Sequence, residues 1–203
     1  MENCSAARIG ILGGTFNPIH NSHIAMAKAA IRCAKLDCVL LTVAKCPPHK
    51  SSDDIIKAEY RLEMARMAAE NEPQISVSTI EFELGGVSYT ALTLEAIQKL
   101  YPKARLFYIV GSDTLESMPY WYKSADIFSS ADIVCIHRKG TPSCADMAEY
   151  IKSRFKASIT MADCEAGDIS STRIRENIRS HISIGGLVPE NVEKYIYKNG
   201  LYK

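Results

Sequence analysis

At 203 residues the chain is long enough for one domain with a sizeable core. Its 24 lysines and arginines balance 23 acidic residues, a formal net charge of +1. No global field therefore directs it to nucleic acid or to an anionic membrane, and any positive potential has to be local. No uninterrupted apolar run could span a bilayer, and the N-terminus lacks the basic-then-apolar pattern of a secretory signal, so a cytoplasmic protein is expected.

In chain order, Ile9-Gly10-Ile11-Leu12 is an apolar run too short for a helix and bounded by glycine, which predicts a buried strand. Gly13 to Ser22 then form a glycine turn and a polar loop, and Ile24 to Ile31 is rich in helix formers. His20 and His23, three apart, fall in the opening turn of that helix and share a face. A helix start exposes unpaired N–H groups and partial positive charge, and Gly13 and Gly14 let an anion approach the main chain. Two imidazoles beside such a place point to chemistry on a phosphate. Each feature also has an ordinary reading. Glycine pairs occur at many turns, an H-x-x-H pair can ligate a metal, and Thr15 and Asn17 suit helix capping.

Cys38 to Val43 reads as a second strand, followed by a loop from Lys45 to Ser52 whose two prolines forbid regular structure. Ile56, Tyr60, Met64, Met67 and Ala68 mark an amphipathic helix over about Asp54 to Asn71. Ile75 to Leu84 alternates partly, predicting a strand that runs into an exposed extension ended by Gly85-Gly86. A helix from Thr90 to Leu100 stops before Pro102. Leu106 to Val110 and Ile133 to Ile136 are short buried strands. Helices are also expected over about Ser143 to Phe155, Thr172 to Arg179 and Glu190 to Lys198. The alternation predicts an α/β protein with a parallel sheet covered by helices. No repeat, low-complexity tract or linker divides the chain.

A second polar cluster, Asp168 to Arg175, opens the helix whose face carries Ile174, Ile178 and Ile182. Its Ser170, Ser171 and Thr172 favour a helix start, and Arg175 offers a rigid five-donor fork. An ordinary capped helix with exposed arginines fits the same residues. In open α/β sheets ligands bind beyond the carboxyl ends of the strands, where strand order reverses. Gly13-Gly14, Lys45 to Lys50 and Gly111-Ser112-Asp113 all follow strands there. The seven cysteines (Cys4, Cys33, Cys38, Cys46, Cys135, Cys144 and Cys164) contain no C-x-x-C, and reduced core thiols are expected.

The run from Gly13 to Ile24, followed far downstream by Ile169 to Arg175, resembles the nucleotidylyltransferase superfamily and, within it, the bacterial nicotinate-nucleotide adenylyltransferases. The resemblance extends through Pro47-Pro48-His49-Lys50, Ser88-Tyr89-Thr90 with Thr93-Leu94, Gly111-Ser112-Asp113 with Trp121, and the tail from Val188-Pro189 to Tyr202. Two departures stand out: Ser22 replaces a family glycine between the histidines, and Arg138-Lys139-Gly140 replaces an R-P-G turn. The family implies a Rossmann-like, doubly wound parallel sheet with helices on both faces, residues 1–203 forming a single nucleotidylyltransferase domain.

The resemblance also implies a reaction: AMP passes from ATP to the phosphate of nicotinate mononucleotide, with release of pyrophosphate. The attacking group is already an anion, so positioning and charge stabilisation carry catalysis, and no side-chain nucleophile is required. His20 and His23 are expected to donate to the ATP phosphates, His20 nearest the α-phosphate. Lys50, Arg175, Ser171 and Thr172 would hold the β- and γ-phosphates. Gly13, Gly14, Thr15 and Phe16 belong to the ATP site, with Gly111 and Asp113 at ribose or adenine. Lys45, Tyr89, Thr90 and Trp121 would frame the nicotinate nucleotide, although Trp121 could equally anchor a core and Tyr89-Thr90 cap a helix. Magnesium is expected to arrive with ATP rather than in a protein cage. The partners are then the two nucleotides, with neither nucleic acid nor membrane, in a monomer or homodimer. The alternatives are an enzyme for nicotinamide mononucleotide or another phosphate acceptor, a cytidylyltransferase, a non-catalytic nucleotide-binding regulator, and a metal-dependent hydrolase built on the two histidines.

Overall fold

The computed structural model of the chain describes residues 7–48, 55–138, 144–164 and 169–203. Six strands form one parallel sheet: β1 (Arg8–Gly14), β2 (Cys38–Val43), β3 (Ile75–Ser78), β4 (Arg105–Gly111), β5 (Asp132–Arg138) and β6 (Ile159–Cys164), in the order β3-β2-β1-β4-β5-β6. The order reverses between β1 and β4, so a crevice opens above their carboxyl ends, at Gly14 and Gly111.

Side-chain alternation divides the interior into two layers. Leu12, Val39, Leu41, Phe107, Ile109, Val134 and Ile136 point to one face. That face is covered by α1 (Asn21–Ala34), α2 (Ala58–Ala69), α8 (Ser171–Arg179) and α9 (Glu190–Lys198). Ile9, Ile11, Leu106, Tyr108, Ile133 and Cys135 point to the other. There the cover is α4 (Thr90–Leu100), α6 (Ser124–Ser130) and α7 (Ala145–Phe155). Two short helices, α3 (Ile80–Leu84) and α5 (Ser112–Leu115), and a 3-10 turn at Met118–Tyr120 lie near the ends of β3 and β4. The chain therefore has the Rossmann-like, doubly wound architecture expected of it. Both faces of each central strand are buried, which is why those strands read as apolar runs.

The helices over Thr90–Leu100 and Glu190–Lys198 match the sequence reading residue for residue, and α2 is a shorter version of the expected one. Two expectations are corrected. The exposed strand extension after Ile75 is a helical turn, α3, because the Ser78 hydroxyl accepts from the N–H of Ile80 and turns the chain. The cysteines are not uniformly core thiols: Cys135 and Cys144 are buried, but Cys33 and Cys46 are exposed. His49, Lys50, Asp168, Lys139 and Gly140 lie outside the described residues.

Candidate active site

Every element of the site converges on residues 13–21, the loop between β1 and α1. Gly13 and Gly14 close the strand, and the structure gives each a packing reason to lack a side chain. A Cβ on Gly13 would stand 2.8 Å from the Tyr108 hydroxyl, and one on Gly14 would stand 2.7 Å from the Phe16 ring. Phe16 turns inward with φ of 49° and is 2 % exposed. Its ring meets that of His23 edge-on, centroids 4.9 Å apart, so it supports the histidine rather than lining the cleft.

The loop is held from three sides. Arg61, on α2 and 1 % exposed, donates through Nη1 to the carbonyls of Thr15 (2.7 Å) and Ala44, through Nη2 to Lys45 (3.1 Å) and through Nε to Ile56 (3.1 Å). Burying a guanidinium is tolerable only with such a set of acceptors. Arg175 Nη1 donates to the carbonyl of Asn17 at 3.0 Å, and the Ser171 hydroxyl donates to that of Pro18 at 2.8 Å. From the third side, the N–H of Asn21 donates to Leu187 and its side-chain amide to Gly186. The two distant motifs thus meet, residues more than 150 positions apart in direct contact.

At the end of the loop His20 caps α1 in an extended conformation, and its N–H donates to Nδ1 of His23 at 3.2 Å. The two rings stack at 3.7 Å with 27° between planes, confirming that they share a face. The two differ in exposure. His20 is 4 % exposed and lies behind His23, which lines the cleft. Histidine, not solvent, covers the helix start at that point.

Two adjoining cavities occupy the crevice, and Gly13, Tyr108 and Trp121 border both. One, of about 180 Å³, holds His23, Met26, Gly111, Asp113 and Thr114. The other, also about 180 Å³, holds Gly14, Thr15, Tyr89, Thr90, Tyr122 and Glu81. Of the residues expected at ATP, His23, Gly111 and Asp113 line the first cavity, whereas Gly14 and Thr15 line the second together with Tyr89 and Thr90, and Gly13 and Trp121 border both. Lys45 lines neither cavity, its ammonium sitting 5.8 Å over the Phe82 ring. Ser171, Thr172 and Arg175 also stand behind the loop rather than in these linings, with Arg175 Nε buried and unpartnered among the described residues.

Tyr89 packs against Tyr122 with centroids 4.5 Å apart, and Trp121 meets Tyr108 edge-on at 6.3 Å. Trp121 Nε1 donates to the Ser117 hydroxyl, which fixes the plane of the indole at the cavity rim. Tyr108 is 6 % exposed, and burial pushes its phenol up to about 12 despite a contact with the Thr90 hydroxyl at 3.3 Å.

Arg61, Glu81, Tyr108 and Tyr122 escaped the sequence reading. Arg61 left a trace, since it falls on the apolar stripe of α2 that carries Met64 and Ala68. A charge on a buried stripe needs partners, and loops are where spare carbonyls lie.

Comparison with known proteins agrees with this geometry. Residues 11–177 match the cytidylyltransferase-like family. The chain is 36 % identical to a protein of Carboxydothermus hydrogenoformans described as "Probable nicotinate-nucleotide adenylyltransferase", covering 98 % of this chain and all of that one. It is 33 % identical to the nicotinate-nucleotide adenylyltransferase of Bacillus subtilis, over 97 % and 98 % of the two chains. The nicotinic acid mononucleotide adenylyltransferase of Plasmodium falciparum, solved with NaAD, shares the fold with a TM-score of 0.79 at 18 % identity, over 96 % and 97 % of the chains. The chain belongs to the cytidylyltransferase-like family and, within it, to the nicotinate-nucleotide adenylyltransferases.

Proposed function

We propose that the protein transfers AMP from magnesium-bound ATP to the phosphate of nicotinate mononucleotide, forming nicotinate adenine dinucleotide and releasing pyrophosphate. The single observation that carries this reading is the split crevice: a histidine-lined cavity and an aromatic one meet at Gly13, where two phosphates could be brought in line. Family membership agrees, as does the Bacillus subtilis relative's name.

The nucleophile is the acceptor's phosphate oxygen, so the site has to gather two anions and neutralise the charge that moves to pyrophosphate. With its Nδ1 engaged by the His20 N–H, a neutral His23 carries its proton on Nε2, making that atom a donor towards the ATP phosphates. His20 backs the ring and, in this scheme, stands nearest the α-phosphate. The spare donors of Arg175, the Thr172 hydroxyl and Lys50 would hold the β- and γ-phosphates. Magnesium enters as part of the ATP substrate, on phosphate oxygens and water. Gly111 and Asp113 would meet ribose or adenine, while Tyr89, Thr90 and Trp121 would frame the pyridine ring.

Residues 1–203 would act as one nucleotidylyltransferase domain. Support comes from Asn191 on α9, whose amide donates to the carbonyl of Met67 on α2 at 2.8 Å, joining the C-terminal end to the body. Among the described residues no helix is long and apolar enough to cross a membrane, and we place the reaction in the cytoplasm.

The acid is the preferred acceptor in this proposal. Pyrophosphate release with ATP, magnesium and either nicotinate or nicotinamide mononucleotide tests it. A higher kcat/KM for the acid is expected; equal values or a preference for the amide would overturn it. Release with phosphopantetheine but neither pyridine nucleotide would overturn the whole reading.

A further inference from the structure

Glu81 has no part in the scheme above, yet it is a carboxylate inside the aromatic cavity. It sits in α3, is 8 % exposed, and lines the cavity with Tyr89, Thr90, Tyr108, Trp121 and Tyr122. Its Oε1 accepts from the Thr93 hydroxyl of α4 at 2.8 Å. Its Oε2 is buried and has no hydrogen-bond partner among the described residues. Arg61 interacts with it only through space, because that guanidinium is spent on four backbone carbonyls.

A half-partnered carboxylate among aromatic rings is costly to bury unless something positive completes it. The acceptor of the proposed reaction supplies such a group. The ring nitrogen of a pyridine mononucleotide is quaternary, so its ring is a delocalised cation, shaped to stack on Trp121 or Tyr89 and attracted to both π-faces and carboxylates. An uncharged ring of the same shape would gain the stacking alone.

We propose that Glu81 is the counter-charge for the cationic pyridinium ring of the acceptor, a specificity-determining residue that selects pyridinium nucleotides over isosteric neutral ones. It is distinct from whatever tells acid from amide, because both pyridine nucleotides carry the same ring charge. The inference rests on the function proposed above.

The test compares nicotinate mononucleotide with its neutral C-nucleoside isostere, 3-carboxyphenyl riboside 5′-phosphate, in titration calorimetry of the whole protein. Wild type should bind the pyridinium nucleotide more tightly than the isostere by roughly thirtyfold or more, the lower end of the range for losing one partner of a buried charge pair. Glu81→Gln, which keeps the acceptor for Thr93, should erase most of that difference by weakening only the charged ligand and should leave the KM for ATP unchanged. Equal loss for both ligands would make Glu81 an anchor between α3 and α4 and overturn the proposal. Equal affinity of wild type for the two ligands would overturn it without any variant. Turnover of nicotinate mononucleotide by wild type is measured separately. Its absence would remove the parent reading, whereas turnover without charge discrimination would remove this one alone.

Discussion

The backbone N–H of His20 donates to Nδ1 of His23, 3.2 Å away, and the two imidazoles stack face to face. One contact therefore sets both the tautomer and the orientation of the ring that lines the cleft. Long-range proton–nitrogen NMR of the imidazole should find neutral His23 protonated on Nε2. A proton on Nδ1 would contradict the geometry and remove His23 as a phosphate donor.

The two distant clusters should fail differently when disabled. His20→Ala removes the proposed donor nearest the α-phosphate and the support behind His23, so kcat should fall on the order of 10² to 10³, with a modest change in KM for ATP. Because His20 is buried, it should also cost roughly 1–3 kcal/mol of stability. Arg175→Ala should act proportionally more on KM, since Arg175 stands behind the loop and is partly committed to the Asn17 carbonyl. Steady-state kinetics with thermal unfolding of both variants checks this. A His20→Ala enzyme with near-normal kcat would refute the assignment.

Arg61 is the keystone of the loops at this end of the sheet. Arg61→Ala leaves the carbonyls of Thr15, Ala44, Lys45 and Ile56 without their shared donor, an expected loss of about 3 kcal/mol or more. Arg61→Lys should rescue little, because an ammonium cannot span a planar fork of acceptors. Chemical denaturation of both variants measures it; wild-type stability in Arg61→Lys would show that charge rather than geometry matters there.

What the sequence disclosed tracks how local each feature is. β1, β2, β4 and β5 are apolar runs because both their faces are buried, and α9 announces itself through Val192 and Ile196 on one face. β6 was missed: it is an edge strand, its Met161 is 42 % exposed, and only Ile159 and Met161 in its run are strongly apolar. α6, with three serines in seven residues, carries no helical stripe long enough to notice. The glycine turn and the histidines were legible because their chemistry resides in the residue type, whereas the Tyr89-Thr90 pair stood out only through the family resemblance. Glu81 and Tyr108 were not, since a carboxylate and a phenol become site residues only when the fold encloses them. The burial of His20 was likewise invisible, as it depends on the His23 ring stacking over it.

Tyr108 gives the protein an alkaline liability. Burial raises its phenol from an ordinary value near 10 to about 12 in the folded state. The unfolded chain therefore releases that proton first as pH rises, and stability present below about pH 10 should be lost progressively towards pH 12, by about 2–3 kcal/mol. Tyr195 and Tyr202, raised by their own burial, act in the same direction. Tyr108→Phe should flatten this slope without abolishing it. An unchanged slope between pH 9 and pH 11.5 in denaturant titrations would show that Tyr108 does not govern it.

The central claim is that the acceptor's phosphate attacks the α-phosphorus of ATP in this crevice. Turnover of nicotinate mononucleotide with ATP carrying ³²P at the α- or the γ-position tests it most directly. The α-label should appear wholly in nicotinate adenine dinucleotide and the γ-label wholly in pyrophosphate. Recovery of the α-label in free AMP or ADP, with no labelled dinucleotide, would contradict the account.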